Sequence, residues 1–388
     1  MRDAGVLLVP IALALAVAPV WAQQWQIRPN ANVELGYDDN VRTSEASQQG
    51  SFVTRARAGM RAIRSTESTN LAMAAGVSLN GFADAADLDN TTGLLGIDWA
   101  YDAERNRFGL NLSFDTQSTL TSELATTGLT QINKQRYQLG VRPSWSYSIS
   151  ERSSLSVALS YTDVIYEDVD EIPLFNYRQG NLTLGGSYRL SERAGLNVNL
   201  VYGRYDAEGV TNETENLSAQ LGADYLLSET MRLAFLIGLR RTEATSTDLT
   251  GLSVTESSSG PSYRISFSKQ LASGGSLSAQ AVREVVPSGS AEVLDTTSLT
   301  FGFSHPFSER WRLSANATAN HNRQAGGEAS LSDRQSATGR LSVSYTISED
   351  WRLSASYSHR WQQRDELQGK AHANAIFLTL AWSRPWNL

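Results

Sequence analysis

Along most of the chain apolar and polar residues alternate one by one, and the runs in which they do so are long. In 107–115 the side chains of Phe108, Leu110, Leu112 and Phe114 share one face of an extended strand, while Gly109, Asn111, Ser113 and Asp115 share the other. The pattern returns at Tyr137, Leu139, Val141, Trp145 and Tyr147, at Leu196, Val198, Leu200 and Tyr202, and at Leu233, Phe235, Ile237 and Leu239. Further copies lie around 155–161, 299–303, 341–345 and 353–357. Each runs for about ten residues or more, roughly twice the usual strand of a soluble protein. A tilted strand needs about 9–11 residues to cross a bilayer, so length points to membrane-spanning strands.

The punctuation between runs is regular as well. Ser-Glu dipeptides at Ser150, Ser191, Ser228, Ser308 and Ser348, with short polar steps near 66, 102 and 272, make eight tight turns. Long polar segments at 44–50, 84–90, 116–131, 167–173, 243–259 and 322–333 alternate with them. A period near forty residues also fits propeller blades, but a blade needs four short strands where each repeat here holds two long ones. The expected fold is all-β: a single transmembrane antiparallel β-barrel of about eighteen strands, with sixteen as the fallback, short periplasmic turns and long extracellular loops. Its first and last strands are expected at 32–37 and 375–382, and the even count leaves both termini on the short-turn side. Tyr147, Tyr188, Tyr225, Trp311, Tyr345, Trp351 and Trp382 stand next to tight turns, and Tyr161, Tyr202, Tyr357 and Trp361 toward long loops, all of outward parity. These are the two interfacial aromatic belts of such a barrel.

Composition narrows the chemistry. The one long apolar run, residues 6–20, follows Arg2, and Val20 at its end and Ala22 just after it are small residues suited to cleavage, so residues 1–22 read as a signal peptide and 23–388 as the barrel. An uncleaved anchor is the alternative, weakened by the short run and Pro10. With no cysteine and four scattered histidines (305, 321, 359, 372), no metal site, cofactor or catalytic residue is expected. The net charge of −7 argues against nucleic acid.

The inward parity is strongly basic. Arg55, Arg57, Arg61, Arg142, Arg189, Arg232, Arg240, Arg264, Arg312, Arg340, Arg352 and Arg360 face the expected lumen, against Glu34, Asp98, Asp115, Asp224 and Glu284. A cationic lumen concentrates anions, and guanidinium forks suit carboxylates and phosphates. The same arginines could equally pair across strands and with acidic loops folded inward. Segments 116–131 and 243–259 are the two candidates by length for a loop inserted into the pore. Acidic loops at 84–89 and 167–171 could bind Ca²⁺ or bridge lipopolysaccharide, although their spacing is a poor calcium loop.

The stretch Gly36-Tyr37-Asp38-Asp39-Asn40 ends the expected first strand, and with the recurring Leu/Ile-Ser-Glu-Arg hairpins it resembles the outer-membrane β-barrel porin family associated with exopolysaccharide and capsule secretion. The resemblance extends over 23–388. It departs at the C-terminus, which ends in Leu388 where many outer-membrane barrels carry an aromatic. It implies a pore in the cell outer membrane for export of exopolysaccharide or capsular polysaccharide, surrounded by outer-membrane lipid and lipopolysaccharide, beside a periplasmic polysaccharide export protein. A general or anion-preferring diffusion porin is the alternative, and a secreted β-propeller or adhesin comes third.

Overall fold

Each tight turn returns the chain antiparallel to the strand it has just left, and eighteen such strands close on themselves. The computed structural model describes residues 25–45, 48–123, 133–168, 174–209, 211–247, 253–325, 333–364 and 369–387; the expected signal peptide lies outside these. The first six strands are β1 (Trp25–Asp38), β2 (Ser51–Ser65), β3 (Thr69–Phe82), β4 (Asn90–Asp102), β5 (Asn106–Ser118) and β6 (Gln135–Ser148). The next six are β7 (Ser153–Tyr166), β8 (Tyr177–Arg189), β9 (Ala194–Ala207), β10 (Thr211–Ser228), β11 (Met231–Thr247) and β12 (Ser253–Gln270). The last six are β13 (Ser276–Pro287), β14 (Val293–Pro306), β15 (Trp311–Gln324), β16 (Arg334–Thr346), β17 (Trp351–Arg364) and β18 (Gly369–Ser383). Every strand pairs with its sequence neighbours, and β18 pairs with β1 from Asn30–Ser383 to Asp38–Ala375, which removes the free edge. After Pro385 a two-residue β19 (Trp386–Asn387) adds to the start of β1.

The recurring turn serines have a local reason. Ser150 Oγ accepts the backbone N–H groups of Arg152 and Ser153 at 3.2 and 3.1 Å, and Ser191 and Ser308 do the same for the residues two and three ahead. A short hydroxyl side chain thus satisfies donors that a three- or four-residue turn leaves unpaired.

Partners across an antiparallel ladder point to the same side, so the registers assign faces. Leu35, Leu184, Leu221, Ile237, Leu299 and Ile376 belong to the outer face and are about half exposed or more. Between Leu217 and Tyr225 on β10 the outer face spans eight steps, roughly 21 Å at the usual rise and tilt, close to the apolar band of a membrane barrel. The expected belt aromatics lie on this outer face, with Trp311 against Tyr345 at 4.8 Å.

Two expectations about loops are corrected. Residues 243–247 and 253–259 are strand, paired in an unbroken ladder from Thr247–Ser253 to Arg241–Ser259. Likewise β15 runs to Gln324, and the terminal strands are longer than expected. Above the membrane both faces of a strand are wet, so apolar alternation fades while the backbone ladder continues.

Candidate pore and its internal hairpin

All twelve arginines singled out above lie on the interior face of their registers, as do the five acids. The structure divides the twelve into two groups. Arg55 and Arg340 share Glu34, Arg360 binds Asp38, Arg232 binds Asp224, Arg264 binds Glu284 and Arg240 binds Asp295. Arg57, Arg61, Arg142, Arg189, Arg312 and Arg352 have no ion pair among the described residues. Arg189, Arg312 and Arg352 sit at the tight-turn end and Arg61 and Arg142 deeper. Arg136 and Arg334 are further interior arginines. They escaped the sequence reading because each lies at the first or second residue of its strand, where parity is hardest to read.

The lumen is not an open tube. Pairing of β12 with β13 stops at Tyr263–Arg283, and above that point the β13–β14 hairpin leans into the barrel. Its tip meets the inner wall of β7–β9: Tyr205 Oη donates to Ser288 O at 2.8 Å and Phe175 N donates to Gly289 O at 2.7 Å. Ala291 and Val293 pack with Val164, Tyr166, Leu174, Tyr177 and Tyr205 in an apolar cluster that lies inside the barrel. At the hairpin's root Asp295 receives Arg283 at 2.7 Å and Arg240 at 2.5 Å. Neither segment proposed for an inserted loop is this one. A signal was available, since Val285-Val286-Pro287 and Val293-Leu294 are apolar on both parities, which marks burial on two sides. Tyr166, Tyr177 and Tyr205 are, in addition, large aromatics of lumen parity.

The first candidate segment does contribute. After β5 a single helical turn, α1 (Thr119–Ser122), is capped by Ser118, whose Oγ accepts from Leu120 N at 3.2 Å. Glu123 follows it, buried, and receives the Tyr166 hydroxyl at 2.8 Å. The turn brings Leu120 and Thr121 opposite Arg55, Arg57 and Arg360, with a cavity of about 360 Å³ between them. The rest of that segment, 124–132, lies outside the described residues. Of the second candidate, 243–247 and 253–259 form the strand pair described above, and 248–252 lie outside the described residues.

The five-residue motif lies at the closing seam. A Cβ on Gly36 would collide with the Ile376 carbonyl and the Phe377 ring, and Arg55 stacks over that ring at 4.6 Å. Tyr37 faces outward against Phe52. Asp38 takes Arg360 at 2.8 and 3.0 Å, Asp39 takes the Asn374 amide at 2.8 Å, and Asn40 Nδ2 donates to His372 O at 2.8 Å. Arg360 and Gln362 also hold Thr43, at 3.2 and 2.6 Å, so residues 40–44 fold over the seam. The motif therefore clasps β1 to β17 and β18.

All four histidines are of outward parity, three of them toward the long loops. His321 Nε2 lies 2.6 Å from Asp333, His359 Nδ1 lies 2.9 Å from Asn374 Oδ1, and the His359 and His372 rings are 5.7 Å apart. His305 sits near the tight turns, 3.1 Å from Ser273 Oγ. Of the acidic loop residues, Asp84 and Asp89 accept the backbone N–H groups of Phe52 and Phe82, Asp87 pairs with Arg42, and Asp168 pairs with Lys134. These carboxylates organise their own loops.

No family model matches the chain, and no curated protein matches it. Among solved structures it is similar to OccAB3 of Acinetobacter baumannii at 12% identity, covering 94% of this chain and 99% of that one with a TM-score of 0.46. It is similar to OpdK of Pseudomonas aeruginosa at 11% identity, 94% and 99% coverage and a TM-score of 0.46. It is also similar to OccK2 of the same organism, solved in complex with glucuronate, at 11% identity, 94% and 98% coverage and a TM-score of 0.48. Likeness at this level carries no argument about family or solute. What decides the matter is the barrel itself: every strand is paired, the edge is closed, and an apolar band of membrane height lies between two aromatic belts. The chain is an eighteen-stranded β-barrel of the cell outer membrane.

Proposed function

We propose that the barrel is a passive channel for small solutes with a preference for anions. One observation carries this reading: a lumen narrowed by the pinned β13–β14 hairpin and by α1, with arginines along the wall that remains. Six interior guanidinium groups without a carboxylate partner leave a positive potential in a low-dielectric tube, while the six paired ones brace the wall. Both readings of the arginines thus hold, each for half of the set. Export of a polysaccharide, which the N-terminal motif implied, is the weaker reading, because a hairpin held by hydrogen bonds, an apolar cluster and two ion pairs leaves little room for a threaded polymer. The motif itself has a structural role at the seam.

The test is reconstitution of the purified barrel in planar bilayers and in liposomes. A salt gradient should give a reversal potential of anionic sign, and a sugar acid should enter liposomes faster than the neutral sugar of equal size. Cation preference would reject the reading, as would entry of an anionic dextran at the rate of the small acid.

A further inference from the structure

On the lipid-facing side of β12–β16 the wall is hollowed. Ala279, Ala281, Ala317, Ala319, Ala337 and Gly339 floor an apolar groove of about 610 Å³, and Ile265, Phe267, Leu299 and Phe301 stand beside it. Two adjacent register rows make it, and both continue past the groove onto β17 and β18: Ala337–Trp361–His372 and Gly339–His359–Asn374. Because the strands tilt, these rows climb through the membrane. Ile265 stands five residues from the tight-turn end of its strand and Trp361 ten. From β12 to β16 the groove crosses four strand spacings, on the order of 19 Å, the reach of one saturated acyl chain.

At its upper end the chemistry changes. The outward row next above is His321–Gln335–Gln363–Lys370, with Arg323 one outward position beyond His321. Three of the chain's four histidines thus gather here with Arg323 and Lys370. Among the described residues the acids facing them are Asp333, which pairs with His321 and Arg323, and Asp39, whose oxygens already receive Asn374. The opposite rim is different: there Arg178, Arg204 and Arg241 each pair with a glutamate, and Asp163, Asp206 and Glu215 add further acids. Among the described residues the opposite rim thus carries twice as many acids as arginines, whereas on the β15–β18 side two cations and three imidazoles face two acids, so an anion is repelled less there.

We propose that this face is a built site for one phosphorylated, acylated glycolipid of the outer leaflet, the lipid A type. Its phosphates meet Arg323, Lys370 and the histidines, its sugar hydroxyls meet the Gln335 and Gln363 amides, and one acyl chain lies in the groove. The assignment rests on charge and groove together: apolar surface in lipid gains nothing from burial as such, so a groove selects a chain only by shape and by a headgroup fixed at one end.

The full chain, purified in mild detergent and placed in phosphatidylcholine nanodiscs with lipid A, is examined by native mass spectrometry. Wild type should retain about one lipid A per barrel. Arg323→Glu with Lys370→Glu should lower retention at least tenfold, Ala337→Trp should do the same by filling the groove, and dephosphorylated lipid A should behave as the charge-reversed variant does. Leu341→Trp, off the groove on the same face, should retain lipid as wild type. Heat-dependent gel mobility checks that each variant is folded; if Ala337→Trp fails this, Ala319→Leu takes its place. Retention unchanged in the folded groove variant overturns the proposal, as does equal retention of the dephosphorylated lipid. A groove variant that loses a dimer mass while keeping its lipid also overturns it, and assigns the face to a second copy of the chain.

Discussion

Replacing Asp295 by alanine should release the β13–β14 hairpin from the wall. The Arg240 side chain is 4% exposed and Asp295 is 9% exposed, whereas Arg283 is 28% exposed and can turn to water. Loss of the carboxylate therefore strands one buried guanidinium, held only by Thr242 Oγ1 at 3.0 Å. Removing one partner of a buried pair costs about 3–5 kcal/mol, because the remaining charge stays desolvated; the relief available to Arg283 and the wet lumen place the expected loss near 3 kcal/mol. A shift of that size changes the balance between pinned and released hairpin by roughly 10²-fold. Urea unfolding in detergent should show the loss at unchanged slope, and bilayer recordings should show a larger, noisier conductance. Adding Arg240→Met to an Asp295→Leu background should recover most of the stability, since an apolar pair of similar volume removes the stranded charge. A single Asp295→Ala variant within about 0.5 kcal/mol of wild type, with conductance unchanged, would refute the reasoning. So would a double variant less stable than the single.

Replacing residues 288–292 by two glycines should raise conductance while leaving heat-dependent gel mobility intact, because the tip contributes contacts inside the lumen and none to the closing ladder; unchanged conductance would remove the hairpin from the constriction. Exchanging Arg189, Arg312 and Arg352 for glutamate changes the tight-turn mouth by six charges and should move the reversal potential toward cations, with an effect that weakens at high salt as screening shortens to about 3 Å; an unmoved potential at low salt places these residues off the conduction path. Asp38→Ala should destabilise the barrel by about 2–3 kcal/mol, since Arg360 keeps only Thr43 and Asn40 as partners, whereas Asp87→Ala, at an exposed pair with Arg42, should cost at most about 1 kcal/mol by the same urea assay. A cysteine at Asp168 should react with an impermeant label on whole cells and one at Glu309 should not; the reverse pattern inverts the topology.

The alternation of residues along the chain already determined most of the strands, the eight tight turns, the closing pair and the face on which twelve of the interior arginines stand, though not that of Arg136 and Arg334 at their strand starts. All of these follow from a period of two and from turn chemistry within a few residues, which each segment carries whatever surrounds it. Where both strand faces are wet, as in 243–247 and 253–259, the period vanishes and the strand was hidden. The tertiary structure alone decided which arginines are neutralised, what the Gly36–Asn40 stretch does and what fills the lumen. Arg360 meets Asp38 across 322 residues and Tyr205 meets Ser288 across 83. Such contacts exist only once closure of the barrel brings distant walls within a few ångströms of one another, and no local pattern records how far a wall leans inward.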